Sequence, residues 1–258
     1  MVTLNVLAFF AHPDDETMLA GGTLALLARS GAQVHYLCAT RGEGGEVGEP
    51  PVCAPEELGP VREKEMVCAV QALGGRSLTF LGYADPRVGP GEKLYAYTDN
   101  LTMLAGQVAA TIKQFQPQVV VTHGSNGEYG HPAHTFTHQA TLIAALSFKK
   151  TAPLLYTVAA SFPGHPKPRL SNQDDVAHLV VDVAPALSQK EEAAMCHRTQ
   201  HALFVRSASE EAGRQLTVPE VIMHLEGIHR VHPPVEDGKI EDQLVEMLKP
   251  WEWRKNRE

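Results

Sequence analysis

Residues 4–10 (LNVLAFF) are apolar almost without a break, which predicts a short strand buried on both faces. Residues 17–30 (TMLAGGTLALLARS) place apolar side chains at helical spacing and predict a helix that stops at Gly31. A second strand follows over 33–39 (QVHYLCA), then a long loop rich in Gly, Pro and Glu. Loops of that length inside a compact domain are usually functional or mobile. Further on, the pattern predicts a helix over 60–73 ending at Gly74-Gly75, a strand over 77–82, a helix over 99–115, a strand over 118–122 and a helix over 133–148. Beyond these, strands are expected near 154–160 and 178–184, and helices near 186–202, 218–230 and 239–248. Strand and helix alternate four times in the first 150 residues, which predicts a Rossmann-like α/β fold. Its mostly parallel sheet has core order 3-2-1-4 and helices on both faces. No linker or internal repeat divides the chain, so 1–258 reads as one domain. Residues 1–150 form the core, and 151–258 complete the rim of the pocket.

Composition narrows the class of partner. With 43% hydrophobic and 20% charged residues the chain is of the soluble globular type. A net charge of −8 argues against nucleic acid or an anionic membrane, both of which need a basic surface. No apolar run reaches the ~20 residues of a membrane span. No Lys or Arg precedes the first apolar stretch, so a signal peptide is not expected and the cytoplasm is. Cys38, Cys53, Cys68 and Cys196 form no CxxC and are expected as buried free thiols rather than disulfides or a zinc knuckle. Histidine is the unusual count, 13 in all, and it is the commonest metal ligand.

Two histidine clusters follow two strands. Ala11-His12-Pro13-Asp14-Asp15-Glu16 comes directly after the first, and Tyr129-Gly130-His131-Pro132-Ala133-His134 lies in the loop after the fourth. In a 3-2-1-4 sheet these strands are neighbours whose connections leave in opposite directions, and ligands bind in the crevice between them. His12, Asp15 and His134 then offer two imidazoles and a carboxylate to a divalent metal, with positions left open for water and substrate. Zn2+ fits a hydrolytic site of this kind, although the same donors suit Fe2+ or another divalent ion. Asp14 points away from its neighbour Asp15 in an extended segment and is a candidate general base. His131 is placed to protonate a leaving amine or to stabilise an oxyanion. Each cluster alone also reads as a helix cap or a surface network. Their joint placement at the switch point favours a site. Glu43 and Glu46 lie among glycines that let backbone approach a ligand, or else belong to a solvated loop. His138 reads as support or core, His123 enters no role, and His197 with His201 lacks a third ligand. The Pro250-Trp251-Glu252-Trp253 tail is expected to dock on the fold or on a partner subunit.

AHPDDE after an N-terminal strand, the acidic glycine-rich loop, an Arg in the next helix and YGHPxH together resemble the LmbE/PIG-L family of metal-dependent N-acetylglucosaminyl deacetylases. The resemblance covers about residues 4–148. It is nearest to the branch acting in biosynthesis of thiols such as mycothiol and bacillithiol. It implies His12, Asp15 and His134 as zinc ligands, Asp14 as general base and His131 as general acid or oxyanion stabiliser. It also implies Tyr129 as a mobile oxyanion donor, with Arg62 and Glu46 holding the sugar or its aglycone. One position departs from the family pattern, because Ala133 stands where Asp or Asn is usual. Either another carboxylate, Glu128 or Asp182, orients His131, or His131 acts as a neutral donor. The implied activity is removal of acetate from an N-acetylglucosamine unit of a small conjugate, with homo-oligomer formation left open. Hydrolysis of another small amide, or sugar binding without turnover, are the rival expectations.

Overall fold

A computed structural model describes residues 3–236 and 240–253. Its strands in chain order are β1 (Asn5–Phe10), β2 (Gln33–Thr40), β3 (Ser77–Tyr83), β4 (Val119–Thr122), β5 (Leu154–Thr157), β6 (Ala160–Ser161), β7 (Asn172–Val176), β8 (Leu179–Asp182) and β9 (Leu225–His232). Its helices are α1 (Asp15–Arg29), α2 (Leu58–Ala72), α3 (Leu101–Phe115), the single turn α4 (Gly127–Gly130), α5 (Pro132–Ser147), α6 (Leu187–Cys196), α7 (His201–Ala212), the short α8 (Val218–Val221) and α9 (Gln243–Leu248). The main sheet runs β3-β2-β1-β4-β5-β9-β8, which contains the expected 3-2-1-4 core.

The period-two alternation of a strand explains the layers. Val6, Ala8 and Phe10 of β1 pack with Leu24 and Leu27 of α1, Met66 and Val70 of α2 and Ala193 of α6. Leu7, Phe9 and Ala11 face the other way, onto Leu104 and Val108 of α3 and Ala140 and Ala144 of α5. β1 pairs in parallel with both β2 and β4, Val6 lying opposite Val34 on one side and Val119 on the other. With neighbours on both edges and helices on both faces, β1 has to be apolar throughout.

The second half departs from expectation. The helix expected over 218–230 is one turn, α8, followed by β9, which pairs antiparallel with β5 and β8. Val218, Val221, Ile222 and Leu225 fall at helical spacing by coincidence, while the open edge of β5 needs a strand to satisfy its backbone. Gly227 lets β9 pass close to the Ala160 carbonyl, where a Cβ would collide. The strand expected over 154–160 splits into β5 and β6, and β6 forms a separate two-stranded sheet with β7. The helix expected over 186–202 breaks at His197, and α7 was not expected at all. Part of the expected 239–248 helix is α9; residue 239 lies outside the described residues. The tail docks on the sheet edge, with Trp253 N–H donating to the Val180 carbonyl at 2.8 Å. No helix among the described residues is long and apolar enough to cross a membrane.

The cysteine expectation is also overturned. Cys68 and Cys196 form a disulfide across the α2–α6 packing, with Cα atoms 5.8 Å apart. Cys38 is free and buried, and Cys53 is free but only half-buried. The two bridged positions are 128 residues apart, and only helix packing brings them together.

Two measurements check this frame. A denatured, unreduced chain will titrate only Cys38 and Cys53, and titration of all the cysteines before reduction would contradict the bridge. In Gly22→Ala the added Cβ meets Val183, so a loss of about 1–3 kcal/mol in denaturant unfolding is expected. An unchanged midpoint would contradict the close approach of α1 to the end of β8.

Candidate metal centre

The β1–β4 pairing delivers both clusters to one point. Phe9 lies opposite Thr122, so the segments leaving these strands start side by side. They are stitched together: Thr122 Oγ1 donates to the Phe9 carbonyl at 2.9 Å, and Ala11 N–H donates to His123 Nε2 at 3.0 Å. The first segment turns through His12 to Asp14 into α1, and the second passes through α4 to His131, which caps α5.

Three buried side chains meet there. His134 Nε2 is 3.3 Å from His12 Nδ1 and 3.4 Å from Asp15 Oδ1, and His12 Nδ1 is 3.3 Å from Asp15 Oδ2. Two overlapping groups hold ligand atoms within 4.8 Å of one another, His12 with His131 and His134, and Asp15 with His123 and His134. Zinc bonds of about 2.0–2.1 Å in a tetrahedron set ligand–ligand edges of about 3.3–3.4 Å, so the observed spacings and the donor chemistry fit a divalent cation. His123 is less suited as a ligand, because its Nε2 already accepts from Ala11 N–H and its Nδ1 faces Glu128 at 3.1 Å.

Carboxylates outside the cluster aim the imidazoles. His134 Nδ1 donates to Glu128 Oε2 at 2.6 Å, which leaves the Nε2 lone pair facing inward. Glu128 is held in turn: its backbone adopts φ 59°, its N–H donates to Asn172 Oδ1, and its Oε1 accepts from Gly124 N–H. Burial pushes the Glu128 carboxyl up, but His123 and His134 outweigh it and hold the group well below the usual range. On the other side, His12 Nε2 faces Asp85 Oδ1 at 3.3 Å. The sequence reading missed Asp85 and gave no role to His123. An acid directly after the third strand of a 3-2-1-4 sheet was the available signal, since that loop opens on the same edge.

Asp14 takes φ 111°, a left-handed conformation. Arg62 Nη2 lies 3.1 Å from Asp14 Oδ2 and also donates to the Pro13 carbonyl, while Nη1 donates to the Gly42 carbonyl at 3.0 Å. Burial pushes the Asp14 carboxyl up and the Arg62 guanidinium pulls it back, leaving it at about 7. His131 stacks on His134 with ring centroids 4.5 Å apart, and its Nδ1 accepts the Ala133 N–H at 3.1 Å. Its neutral form therefore carries the proton on Nε2. Burial, then the His134 and His12 rings, push His131 down to about 3. Neither suggested carboxylate orients it, for Glu128 serves His123 and His134 while Asp182 accepts from Ala184 N–H. Tyr129 is exposed, and its ring lies edge-on to His131 and His134.

The residues expected to hold substrate make the following contacts within the protein. Arg62 is buried beneath Asp14, and the glycines at 42 and 45 let the loop close on its guanidinium. Glu46 turns away to α7, where Arg206 grips both its oxygens at 2.7 Å. Glu43 accepts from Asp85 N–H at 3.2 Å and from Arg41 Nε at 3.0 Å, so it braces the loop carrying Asp85. His138 supports the site from behind, its Nδ1 donating to the His123 carbonyl at 3.0 Å.

An α/β sheet with a buried His/Asp cluster at the carboxyl ends of β1 and β4 defines the class, a metal-binding protein built on a switch-point crevice. The chain belongs to the PIG-L family, described as GlcNAc-PI de-N-acetylase, which matches residues 7–145. A 1D-myo-inositol 2-acetamido-2-deoxy-alpha-D-glucopyranoside deacetylase from Mycobacterium sp. (strain KMS) is 33% identical over 246 residues, covering 83% of this chain and 80% of that protein. Among solved structures, the N,N'-diacetylchitobiose deacetylase of Pyrococcus horikoshii matches with TM-score 0.58 at 19% identity, covering 88% of this chain and 83% of that one. The 4-carboxy-2-hydroxymuconate hydratase GalB of Pseudomonas putida KT2440 matches with TM-score 0.59 at 20% identity, over 91% and 99%. These two structures share the fold, and the fold alone does not fix the reaction.

If Glu128 aims His134 as described, Glu128→Ala will weaken metal binding about 10–100-fold in competition with a chelator. Wild-type affinity in that variant would contradict the role.

Proposed function

We propose that this chain is a zinc-dependent N-deacetylase that removes the acetyl group from an N-acetylglucosamine unit of a small-molecule conjugate. The observation that carries this reading is the meeting of two buried imidazole nitrogens 3.3 Å apart, each 3.3–3.4 Å from an Asp15 carboxylate oxygen, with an acid and a neutral imidazole beside them. Family membership and the mycobacterial deacetylase support the acetamido sugar as substrate. In this reading His12 Nδ1, Asp15 and His134 Nε2 hold the ion. A divalent cation held there supplies Lewis acidity for an amide carbonyl and eases deprotonation of water.

The chain's own residues do the rest. Arg62 occupies Asp14 Oδ2, so Oδ1 takes the proton as a water oxygen bonds to the acetyl carbon. His131 Nε2–H is the hydrogen-bond donor for the oxyanion, its Nδ1 being spent on Ala133 N–H. Tyr129, exposed at the mouth, offers a hydroxyl to the same oxyanion. The carbon–nitrogen bond then breaks as Asp14 passes the proton it took from water to the departing nitrogen, and acetate and the free amine are released. In this reading the Glu46–Arg206 pair anchors the loop.

Action in the cytoplasm belongs to this proposal as well. The Cys68–Cys196 disulfide weighs against a strongly reducing compartment, so thiol titration of freshly lysed cells bears on it directly.

Acetate release from N-acetylglucosamine conjugates is expected to vanish on chelation and return with zinc. Release that persists in the chelated protein, or a protein that binds such conjugates and never turns them over, would contradict the reading. Asp14→Asn should retain metal yet lose roughly 10²-fold or more in kcat. Wild-type turnover in that variant would remove Asp14 as the base.

A further inference from the structure

Behind the metal cluster lies a second buried polar group that the proposed mechanism does not use. Glu16, one residue past Asp15, is fully buried, as are Thr17 and His197. Glu16 Oε2 accepts the backbone N–H of Asp14 at 2.9 Å. Its other oxygen, Oε1, lies 2.6 Å from the donating Thr17 hydroxyl and 2.9 Å from His197 Nε2. No lysine or arginine pairs with Glu16 among the described residues. The carboxylate thus depends on His197 for a ring N–H.

The backbone that Glu16 holds is the strained one. Asp14 stands at φ 111°, ψ −28°, and a non-glycine residue stays there only when its surroundings over-determine it. The N–H groups of Thr17 and Met18 bond the Asp14 carbonyl at 3.0 and 2.9 Å, and two side-chain contacts add to them. Arg62 takes the Pro13 carbonyl and Asp14 Oδ2, and Glu16 takes the Asp14 N–H. The bases of these two contacts are joined. Arg62 is on α2, and His197 directly follows Cys196, which the disulfide ties to Cys68 on α2. Two residues further on, Thr199 donates through N–H and Oγ1 to the Glu65 carboxylate of α2, at 2.9 and 2.7 Å.

We infer that His197 is a positioning residue for Asp14, acting through Glu16 to keep the Asp14 backbone in its left-handed conformation and its carboxylate beside the metal cluster. The inference rests on the reading of Asp14 as general base. Without the imidazole N–H, Glu16 keeps only the Thr17 hydroxyl on Oε1 and is no longer fixed against Asp14 N–H. The Asp14 peptide then loses the contact on its N–H side and can shift about its remaining bonds, and a shift of about 1 Å in a reacting group costs on the order of 10²-fold in rate. Neither His197 nor Glu16 faces the cluster through its own side chain, so substrate and metal binding should not change.

The test is a set of variants in the full-length, zinc-loaded protein, with kcat, KM and bound metal measured for each. His197→Leu should lose 10- to 100-fold in kcat, with KM and metal content unchanged. His197→Gln, whose amide nitrogen can donate to Glu16 in place of Nε2, should recover most of that loss. In an Asp14→Asn background His197→Leu should add little, because both changes act on the same group. Four results would overturn the inference: wild-type kcat in His197→Leu, equal losses in the Leu and Gln variants, a parallel loss of metal or rise in KM, or fully multiplicative losses with Asp14→Asn. Should His197→Leu not fold, His197→Asn, polar but too short to reach Glu16, is read by the same criteria. Normal turnover in Asp14→Asn alone would instead overturn the assignment of the base, so the two failures are distinguishable.

Discussion

The parallel pairing of β1 with β4 is the constraint on which the site depends. Their register sets Val6 opposite Val119 and Phe9 opposite Thr122, so the chain leaves both strands at the same height. A slip of one residue would turn Phe9 and Leu7 toward the wrong helix layer and expel them from their cluster. The packing that fixes the hydrophobic layers thus also fixes the distance between His12 and His134. The site inherits its geometry from the core, and the short loops only aim the side chains.

That geometry comes with a concentration of buried acids. Asp15, Glu16 and Glu128 are all buried, and each has an imidazole within 3.4 Å. Groups of this kind hold together only while their partners are present, since removing one leaves a buried charge uncompensated. The arrangement is therefore two-tiered. Carboxylates that face the inner cluster attract a cation, and those behind it fix the imidazoles and the Asp14 backbone. Where a rear carboxylate bonds a candidate ligand directly, as Glu128 bonds His134, metal binding and local stability are coupled.

Much of the inner tier was legible in the sequence, and for a physical reason. Strand order in an α/β sheet follows from a few rules, so two polar clusters after the first and fourth strands could be placed together before any coordinates. The partners of individual side chains were not legible. Arg206 lies 160 residues from Glu46, and nothing in the RGEGGEVGE loop announces that its acid is bound to a distant helix. The resemblance implies Arg62 as a contact to the sugar or its aglycone, but nothing in the sequence shows that its side chain lies buried under Asp14. β9 was hidden because its approach carries apolar residues at helical spacing, and the need for a strand there arises only from the unpaired edge of β5. The disulfide was hidden for the same kind of reason, since it depends on how α2 meets α6.

X-ray absorption at the metal edge of zinc-loaded protein tests the central claim most directly. The account predicts scattering from two imidazole rings together with oxygen donors at bond lengths of about 2.0–2.2 Å, and no sulfur at about 2.3 Å. Loss of the imidazole signature in His12→Ala or His134→Ala should be partial, one ring at a time. A first shell containing cysteine sulfur, or one that keeps both rings in each of those variants, would contradict it.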